Sequence, residues 1–131
     1  MSISNAHLRK TKQRSAIRAV LERAERPLSV AEVLGEAAAL VDGLGIATVY
    51  RSLATLQEEG WLECVEIAGE PARYERTGKG HHHHFRCEGC ARVFDIDGCS
   101  VDVQGLVPPQ FRLSGHVVTL YGLCSACVGG G

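Results

Sequence analysis

The sequence of 131 residues contains no apolar run long enough for the core of a secretory signal peptide or for a membrane-spanning helix. We therefore expect a cytoplasmic protein without a membrane partner, whose cysteines stay reduced because disulfides are rare in that compartment. Internal repeats are also missing. The only convincing linker is the short, glycine-bearing segment 77–80. The length allows one ordinary domain or two small ones.

A strong net charge is missing too, since 14 Lys and Arg side chains oppose 15 Asp and Glu side chains. The charges are unevenly distributed. Residues 1–26 hold seven basic and two acidic side chains, an excess of five positive charges, which leaves an excess of six negative charges for the remainder. This asymmetry predicts an N-terminal part that binds phosphate and a C-terminal part that binds cations. A solvated basic face is the alternative explanation.

Side chains that bind metals are concentrated in one ten-residue stretch, which holds the histidines 81–84 and two cysteines. These cysteines are separated by two residues, so a tight turn can direct both sulfur atoms at one ion. A second pair with the same spacing lies near the C-terminus. Four thiolates favour tetrahedral zinc, which would join the start of one folded unit to its end. The predicted ligands of this structural zinc are Cys87, Cys90, Cys124 and Cys127.

Two other interpretations of this stretch are weaker. Purification tags stand at chain termini, whereas this histidine run is internal and continues into a cysteine pair. A thioredoxin-like redox pair would need a long helix after the cysteines, whereas residues 93–96 predict a further strand. Metal binding is therefore the preferred interpretation.

The N-terminal residues predict three helices. Apolar side chains recur at helical spacing over residues 7–26, and Pro27 ends this helix. A capping box at Ser29–Glu32 predicts a second helix over residues 30–40. A third helix is expected over residues 47–60, where a glycine stops it. Three short helices with a turn before the last predict a helix-turn-helix.

Two strands follow these helices. Residues 61–67 alternate in polarity, residues 69–71 form a turn, and residues 72–76 return as a second strand. This hairpin predicts the wing of a winged helix. Alternation places Glu63 and Cys64 on opposite faces of the first strand unless a bulge intervenes.

Residues 81–131 predict a small mixed domain. The histidine run is expected to form a strand, followed by a strand over 93–96, a short helical segment over 100–107 and a last strand over 111–121. About 50 residues can bury only a small core. Zinc and a partner subunit are therefore both expected to stabilise this part.

Three motifs occur in the order found in one protein family. They are TKQR at 11–14, GIATVYR at 45–51, and the histidine run with its two cysteine pairs. With these motifs the chain resembles the ferric-uptake-regulator family over nearly its whole length. The resemblance implies a homodimeric, metal-activated transcription factor that binds AT-rich inverted repeats in double-stranded DNA.

The same resemblance implies an α+β fold. A winged helix-turn-helix DNA-binding domain would span residues 1–76, a hinge 77–80, and a small α/β metal-binding dimerisation domain 81–131. The protein is accordingly expected not to be an enzyme. A zinc hydrolase is a remote alternative, because nothing in so short a chain supplies an obvious general base and substrate cleft.

The resemblance carries DNA-contact roles to five positions. Tyr50 and Arg51 match the recognition-helix pair that contacts bases, where a tyrosine ring suits a thymine methyl group and a guanidinium suits purine edges. Arg9 matches a basic residue that enters the minor groove. Thr48 and Lys12 are further candidates, for phosphate. Tyr50 could instead support the packing of its helix.

In this family a second metal site lies at the hinge and takes alternate histidines of the run together with residues of the wing. Here these positions match His82, His84, Glu63 and Glu75. Strand alternation supports the pairing of His82 with His84, because both side chains point to one face. Cys64 could supply a thiolate from the wing, or it could be a small buried hydrophobe.

The resemblance also implies a third site, because the other two histidines of the run, His81 and His83, match a site completed by Asp102 and His116. A solvated surface histidine is the alternative explanation for His81 or His83. Cys99 is left over. It could be a spare ligand near Asp102, a redox-sensitive thiol or a packing residue.

The sensed metal is predicted from the positions at which family members that sense different metals carry different residues. Zinc-sensing members use a sulfur in the hinge site, but Thr77 stands where several of them have that cysteine. Pro27 stands where iron, peroxide and manganese members commonly carry a histidine. The absence of a histidine at position 27, together with the C-terminal LCSAC segment, favours the zinc-uptake-regulator branch. This branch implies one structural and at least one regulatory Zn²⁺ per subunit. An iron-responsive or peroxide-sensing member is the alternative.

Overall fold

The computed structural model describes residues 5–98 and 102–129. The chain divides into two compact units, the first unit Met1–Gly78 and the second unit Lys79–Gly131. Helices and short sheets occur together, which confirms the α+β class. None of the described helices is both long and apolar enough to cross a bilayer. Cys99 lies outside the described residues.

Three helices form most of the first unit: α1 (Asn5–Arg23), α2 (Val30–Ala38) and α3 (Ile46–Glu58). All three predicted helices are present, but α1 ends at residue 23 rather than at residue 26. The chain leaves the helix early because Leu28–Ser29, strand β1, must be extended in order to pair with another strand. A long-range pairing has therefore overridden the local helical pattern.

The start of α2 is set by the capping box that the sequence predicts. The Glu32 N–H donates to the Ser29 hydroxyl at 3.2 Å, and the Ser29 N–H donates to the Glu32 carboxylate at 2.9 Å. Arg26 forms an ion pair of 2.7 Å with the same carboxylate. Such a cap contributes about 0.5–2 kcal/mol. It fixes where the second helix begins and hence where α3 can pack.

The wing consists of β2 (Leu62–Val65) and β3 (Arg73–Arg76), which are antiparallel. β3 lies between β1 and β2, so the wing is tied to the helices through the sheet. Trp61 precedes β2 and has the guanidinium groups of Arg18 and Arg76 at 4.6 and 5.2 Å from its ring centroid. These cation–π contacts link α1 to the end of β3 through the Trp61 ring.

The first unit has a core of its own, enclosed by the three helices and the start of the wing. Burial of each large apolar side chain stabilises the fold by roughly 1.5–3 kcal/mol. The spacing of the buried positions on α1 and α3 is the helical spacing seen in the sequence. The core residues are Ala16, Ile17, Val20, Leu21, Leu28, Val30, Val33, Ala37, Val49, Leu53, Leu56 and Leu62.

The second unit is built on β4 (His82–Cys87), the central strand of a three-stranded sheet. β5 (Val93–Asp97) pairs with it antiparallel, and β6 (Thr119–Gly122) pairs with it parallel. The expected last strand over 111–121 is wrong for its first eight residues. Regular pairing with β4 covers only the four residues of β6, so residues 111–118 are not in a strand.

Two short helices complete the described part of the second unit. A 3-10 helix (Gln104–Leu106) lies inside the predicted helical segment 100–107, of which residues 100 and 101 are outside the described residues. The last helix, α4 (Ser125–Gly129), is missing from the sequence-based prediction. Five residues are too few for a helical period to show in the sequence.

The second unit has very little core. Among its described residues only His83, Cys87 and Val93 are buried. Hydrophobic burial by so few side chains cannot offset the chain entropy lost on folding. The second unit therefore needs another source of stability, such as a bound ion or a partner surface.

Candidate metal centres and nucleic-acid interface

Four sulfur atoms meet at the end of β4. The Sγ atoms of Cys87, Cys90, Cys124 and Cys127 all lie within 4.8 Å of one another. Cys90 Sγ and Cys124 Sγ are 3.9 Å apart. Tetrahedral zinc with Zn–S bonds of about 2.3 Å requires sulfur separations of about 3.8 Å, so this donor set fits the ion. None of the described cysteines forms a disulfide.

Parallel pairing explains why the two cysteine pairs meet. β4 ends at Cys87 and β6 ends at its register partner Gly122, so both strands deliver their cysteines to the same edge of the sheet. The Glu88 N–H donates to the Gly122 carbonyl at 2.7 Å and extends this pairing. A Cβ atom at Gly89 would lie 2.9 Å from Cys127 Sγ, so the turn can pack this closely only with glycine.

Backbone N–H groups hold the Cys87 sulfur. It accepts hydrogen bonds from the N–H groups of Cys124 and Gly89 at 3.3 Å and of Cys90 at 3.4 Å. These bonds, that from Cys124 first, lower the pKa of the Cys87 thiol to about 6. Hydrogen bonds with the neighbouring thiols, Cys87 first, raise the pKa of Cys127 to about 12. A divalent ion that binds here would deprotonate both thiols.

Alternate histidines of β4 face Asp95 on the neighbouring strand, where His84 and Asp95 are directly opposite. The Asp95 Oδ1 atom lies 3.4 Å from His84 Nε2 and 3.6 Å from His82 Nε2. His82 Nδ1 lies 2.9 Å from the Gly80 carbonyl oxygen. Because a carbonyl only accepts, Nδ1 carries a hydrogen, and Nε2 is the nitrogen through which the neutral ring would bind an ion. Two imidazoles and a carboxylate thus form a donor set for a divalent ion.

The three predicted ligands from the wing lie in the first unit. Glu63 and Glu75 are register partners on β2 and β3, so they share one face of the wing. Cys64 pairs with Tyr74 on the opposite face. Burial raises the pKa of the Cys64 thiol, and the Glu66 carboxylate raises it further. Geometry and charge both disfavour a thiolate beside the two carboxylates.

The other histidines form a second cluster. The ring centroid of His81 lies 4.6 Å from that of His83 and 4.9 Å from that of His116. The Nε2 atoms of His81 and His83 are 3.2 Å apart. The Val118 N–H donates to His83 Nδ1 at 3.2 Å. Neutral His83 therefore carries its hydrogen on Nε2, the nitrogen that faces His81.

Asp102, the fourth residue predicted for this cluster, has a different contact. It is exposed, and its carboxylate accepts the Gly105 N–H at 3.4 Å at the start of the 3-10 helix. The ligand atoms that lie within 4.8 Å of one another come from the three histidines alone among the described residues. The structure thus brings together three of the four predicted side chains.

The predicted DNA-contact residues of α3 are on its outer face. Val49 and Leu53 are buried against the core, whereas Tyr50 is 56% exposed. Tyr50 therefore does not support the packing of its helix. Arg51 is exposed, and its guanidinium donates to the Thr48 hydroxyl at 3.2 Å. This bond orients the guanidinium along the surface of the helix.

Basic side chains of α1 line grooves on different sides of the helix. A groove of about 530 Å³ is lined by the predicted contact residues Arg9 and Lys12. A groove of about 240 Å³ between α1 and α3 is lined by Lys10 and Arg14, with Arg51 on its other side. Hydroxyl groups complete the lining of this second groove: Thr48, Ser52 and Thr55. The basic face is thus shared between two helices.

A model of the ferric uptake regulator family matches residues 5–121 of the chain. The chain belongs to this family. Members of the ferric uptake regulator family are metal-responsive transcription regulators that bind DNA as dimers.

Relatives with different assigned metals match the chain. The ferric uptake regulation protein of Campylobacter upsaliensis is 34% identical over 87 residues, which cover 64% of this chain and 56% of that protein, a little over half its length. The ferric uptake regulation protein of Bacillus subtilis is 32% identical over 91% of this chain and 85% of that protein. The zinc uptake regulation protein of Mycobacterium tuberculosis is 27% identical over 95% of this chain and 98% of that protein.

The fold is similar to that of the Helicobacter pylori ferric uptake regulator, with a TM-score of 0.67 and 26% identity over 89% of this chain and 80% of that chain. That protein is described as having three functional metal binding sites. The described residues of this chain likewise place metal-binding side chains in more than one cluster.

Not every residue that lies in these sites is predicted by the sequence. Asp95 is the clearest example, and its signal is the register of the β4–β5 hairpin, which places it opposite His84. Lys10 and Arg14 have a weaker signal, because which basic side chains of α1 face α3 depends on how the two helices pack.

Proposed function

We propose that this protein is a zinc-responsive transcriptional regulator, which binds operator DNA as a dimer when a sensing site in the second unit holds Zn²⁺ and so controls zinc homeostasis genes in the cytoplasm. The observation that carries the proposal is the donor set of His82, His84 and Asp95, which begins two residues after the linker and is separate from the four cysteines.

The two metal sites would have different roles. The cysteine site offers four thiolates, fills every position of a tetrahedral ion and includes the fully buried Cys87, as structural zinc sites do. The sensing site offers His82, His84 and Asp95 and leaves at least one position for another ligand. We propose that this ligand comes from the wing, with Glu75 or Glu63 preferred to Cys64. The coupling energy would be the difference in metal affinity between two domain arrangements, typically about 1–3 kcal/mol.

We propose the cluster of His81, His83 and His116 as a third, weaker site. Three imidazoles suit Zn²⁺, but His83 would have to release the Val118 N–H whichever ring nitrogen bound the ion, because Nδ1 would then either be the ligand or carry the hydrogen from Nε2. This requirement opposes permanent occupancy. Asp102 would join only after leaving its contact with Gly105.

Iron is the second candidate, and one observation favours it. Two histidines and one carboxylate without sulfur also suit iron(II), and Cys64 faces away from Glu63 and Glu75. Against iron stand the C-terminal LCSAC segment, which resembles that of the zinc branch, and Pro27, where iron-sensing members commonly have a histidine.

A metal titration of DNA binding tests the choice of ion. Full-length protein loaded with structural zinc only is titrated with buffered zinc, iron(II) and manganese(II) in the presence of a labelled AT-rich inverted repeat. We expect zinc to switch on binding at free concentrations far below those needed of the other two ions. Equal or better activation by iron(II) would replace the zinc assignment with iron. No activation by any of the three metals would refute the proposal that the protein is a metal-responsive DNA-binding regulator.

The DNA interface is proposed to combine base contacts from α3 with phosphate contacts from α1. Tyr50 and Arg51 would read base edges, as side chains on an exposed recognition helix do. Arg9 would enter the minor groove beside Lys12, and the groove between α1 and α3 would hold a phosphate against Arg14 and the Thr48 hydroxyl. An inverted repeat follows from two such units in one dimer.

The phosphate role of Arg14 predicts a change in salt dependence. Each lost phosphate contact reduces the slope of log K against log salt by about 0.9, so Arg14→Ala in both subunits should reduce it by about 1.8. Binding should weaken for every DNA sequence alike. Arg23→Ala, at the far end of the same helix, is the control and should keep the parental slope. A loss of sequence preference without a change in slope would assign Arg14 to base contact instead.

Dimer formation is supported by exposed apolar side chains in the second unit. A groove of about 450 Å³ in this region is lined mainly by apolar residues. Contiguous exposed apolar surface commonly marks an interaction site. We propose a second copy of the chain as the partner. The exposed apolar residues are Leu106, Phe111, Leu113, Val117, Leu120, Tyr121, Leu123 and Val128.

A further inference from the structure

Lys79 shares a carboxylate with the proposed sensing site. Its Nζ atom lies 2.6 Å from Asp95 Oδ2, and the other oxygen of the same carboxylate faces His82 and His84 at 3.6 and 3.4 Å. The Asp95 side chain is only 10% exposed and that of Lys79 is 28% exposed. The ammonium group is thus bound to the carboxylate that is proposed as a ligand of the sensing metal.

The linker backbone directs this contact. Gly78 and Gly80, on either side of Lys79, have φ angles of 88° and 74°, which side chains other than glycine rarely adopt. The same bend brings the Gly80 carbonyl to His82 Nδ1. One linker segment therefore orients a histidine for metal binding and also delivers a cation to the neighbouring carboxylate.

We propose that the Lys79 ammonium is an intramolecular competitor for the sensing metal. It forms a charge-assisted hydrogen bond with Asp95 that a divalent ion must break or weaken before the carboxylate can bind it. Lysine has a flexible stem and a strongly hydrated head, so its release into water is feasible. The inference rests on the proposed function of His82, His84 and Asp95, and it adds what sets the metal concentration to which that site responds.

Competition of this kind affects affinity but not selectivity. The apparent dissociation constant is the intrinsic one divided by the fraction of molecules in which Asp95 is released. That fraction is a property of the protein and not of the ion. Removal of the ammonium should therefore strengthen the binding of different divalent ions by the same factor.

The test is a competition titration of full-length protein, loaded with structural zinc, against a chelating indicator. Lys79→Met should lower the dissociation constants for zinc and cobalt(II) at the second site about tenfold, by equal factors. Lys79→Gln repeats the test with a polar stem in case methionine alters folding. Lys79→Arg keeps a cation that can pair with Asp95 through its planar fork, so it should bind metal no more tightly than the parent does. Arg92→Gln, an exposed charge in the same unit that lies outside the proposed dimer groove, controls for the change in net charge.

Lysine acylation supplies a readout independent of affinity. The chain has three lysines, Lys10, Lys12 and Lys79. Addition of zinc should increase the acylation of Lys79, measured by peptide mass spectrometry without DNA, and leave Lys10 and Lys12 unchanged.

The outcomes separate the two proposals. If the parent binds no second metal, the proposed sensing site fails and the inference fails with it. If the parent binds a second metal and Lys79→Met binds it equally or more weakly, the inference alone fails. Unequal factors for zinc and cobalt(II), or acylation of Lys79 that falls with zinc, would also overturn it.

Discussion

Replacement of Cys87 by serine is expected to abolish binding of the structural zinc and to unfold the second unit, while the first unit stays folded. Cys87 is fully buried and its sulfur accepts three backbone N–H groups, so the site loses its central ligand. Structural zinc contributes about 10–16 kcal/mol in small domains. The second unit buries only His83, Cys87 and Val93 among its described residues and has no apolar core to replace that contribution.

The measurement is a two-dimensional amide NMR spectrum with the zinc content of the same sample. Resonances of the second unit should collapse to unfolded shifts, and those of the first unit should keep their dispersion because its core is complete. Cys64→Ser, at a cysteine outside the cluster, should retain both zinc and fold. A Cys87→Ser protein whose second unit stays folded without zinc would show that dimer contacts alone suffice.

The replacement of His84 by alanine is expected to abolish metal-dependent DNA binding and to preserve the fold, the dimer and the structural zinc. His84 lies opposite Asp95 and faces it at 3.4 Å. Loss of even an outer-shell partner weakens a metal site about 10- to 100-fold, so loss of a ligand should exceed about a hundredfold. The fold should persist because the cysteine cluster does not use this side chain.

DNA binding at fixed free zinc and the metal content of the protein check this expectation together. His81→Ala is the matched control, since its ring lies in the other histidine cluster. It should leave the second-site affinity within about twofold of the parent, because additivity holds for groups without shared partners. An unfolded His84→Ala protein, or an equal effect of His81→Ala, would contradict the separation of the two clusters.

Much of the fold could be predicted from short-range signals. The capping box at Ser29 and Glu32, the apolar spacing on α1 and α3 and the hairpin of the wing all appear in the structure. Each depends on residues within one or two turns of each other, where side-chain chemistry acts directly on the local backbone. The signals for β1 and for the short β6 are weaker, because two to four residues become a strand only when a distant partner pairs with them.

The sequence by itself determined the type of each candidate site: two spaced cysteine pairs for a tetrahedral thiolate ion, alternate histidines for two opposite faces of a strand, and a basic N-terminal helix followed by a Tyr-Arg pair on a third helix. Only the tertiary structure decided which side chains complete these sites. Strand register brought Asp95 to His84, a linker bend brought Lys79 to Asp95, and the 3-10 helix kept Asp102 apart from the three histidines. The reason is physical: a residue's type fixes which ligands it can bind, whereas its neighbours depend on pairing between segments that are distant in the chain.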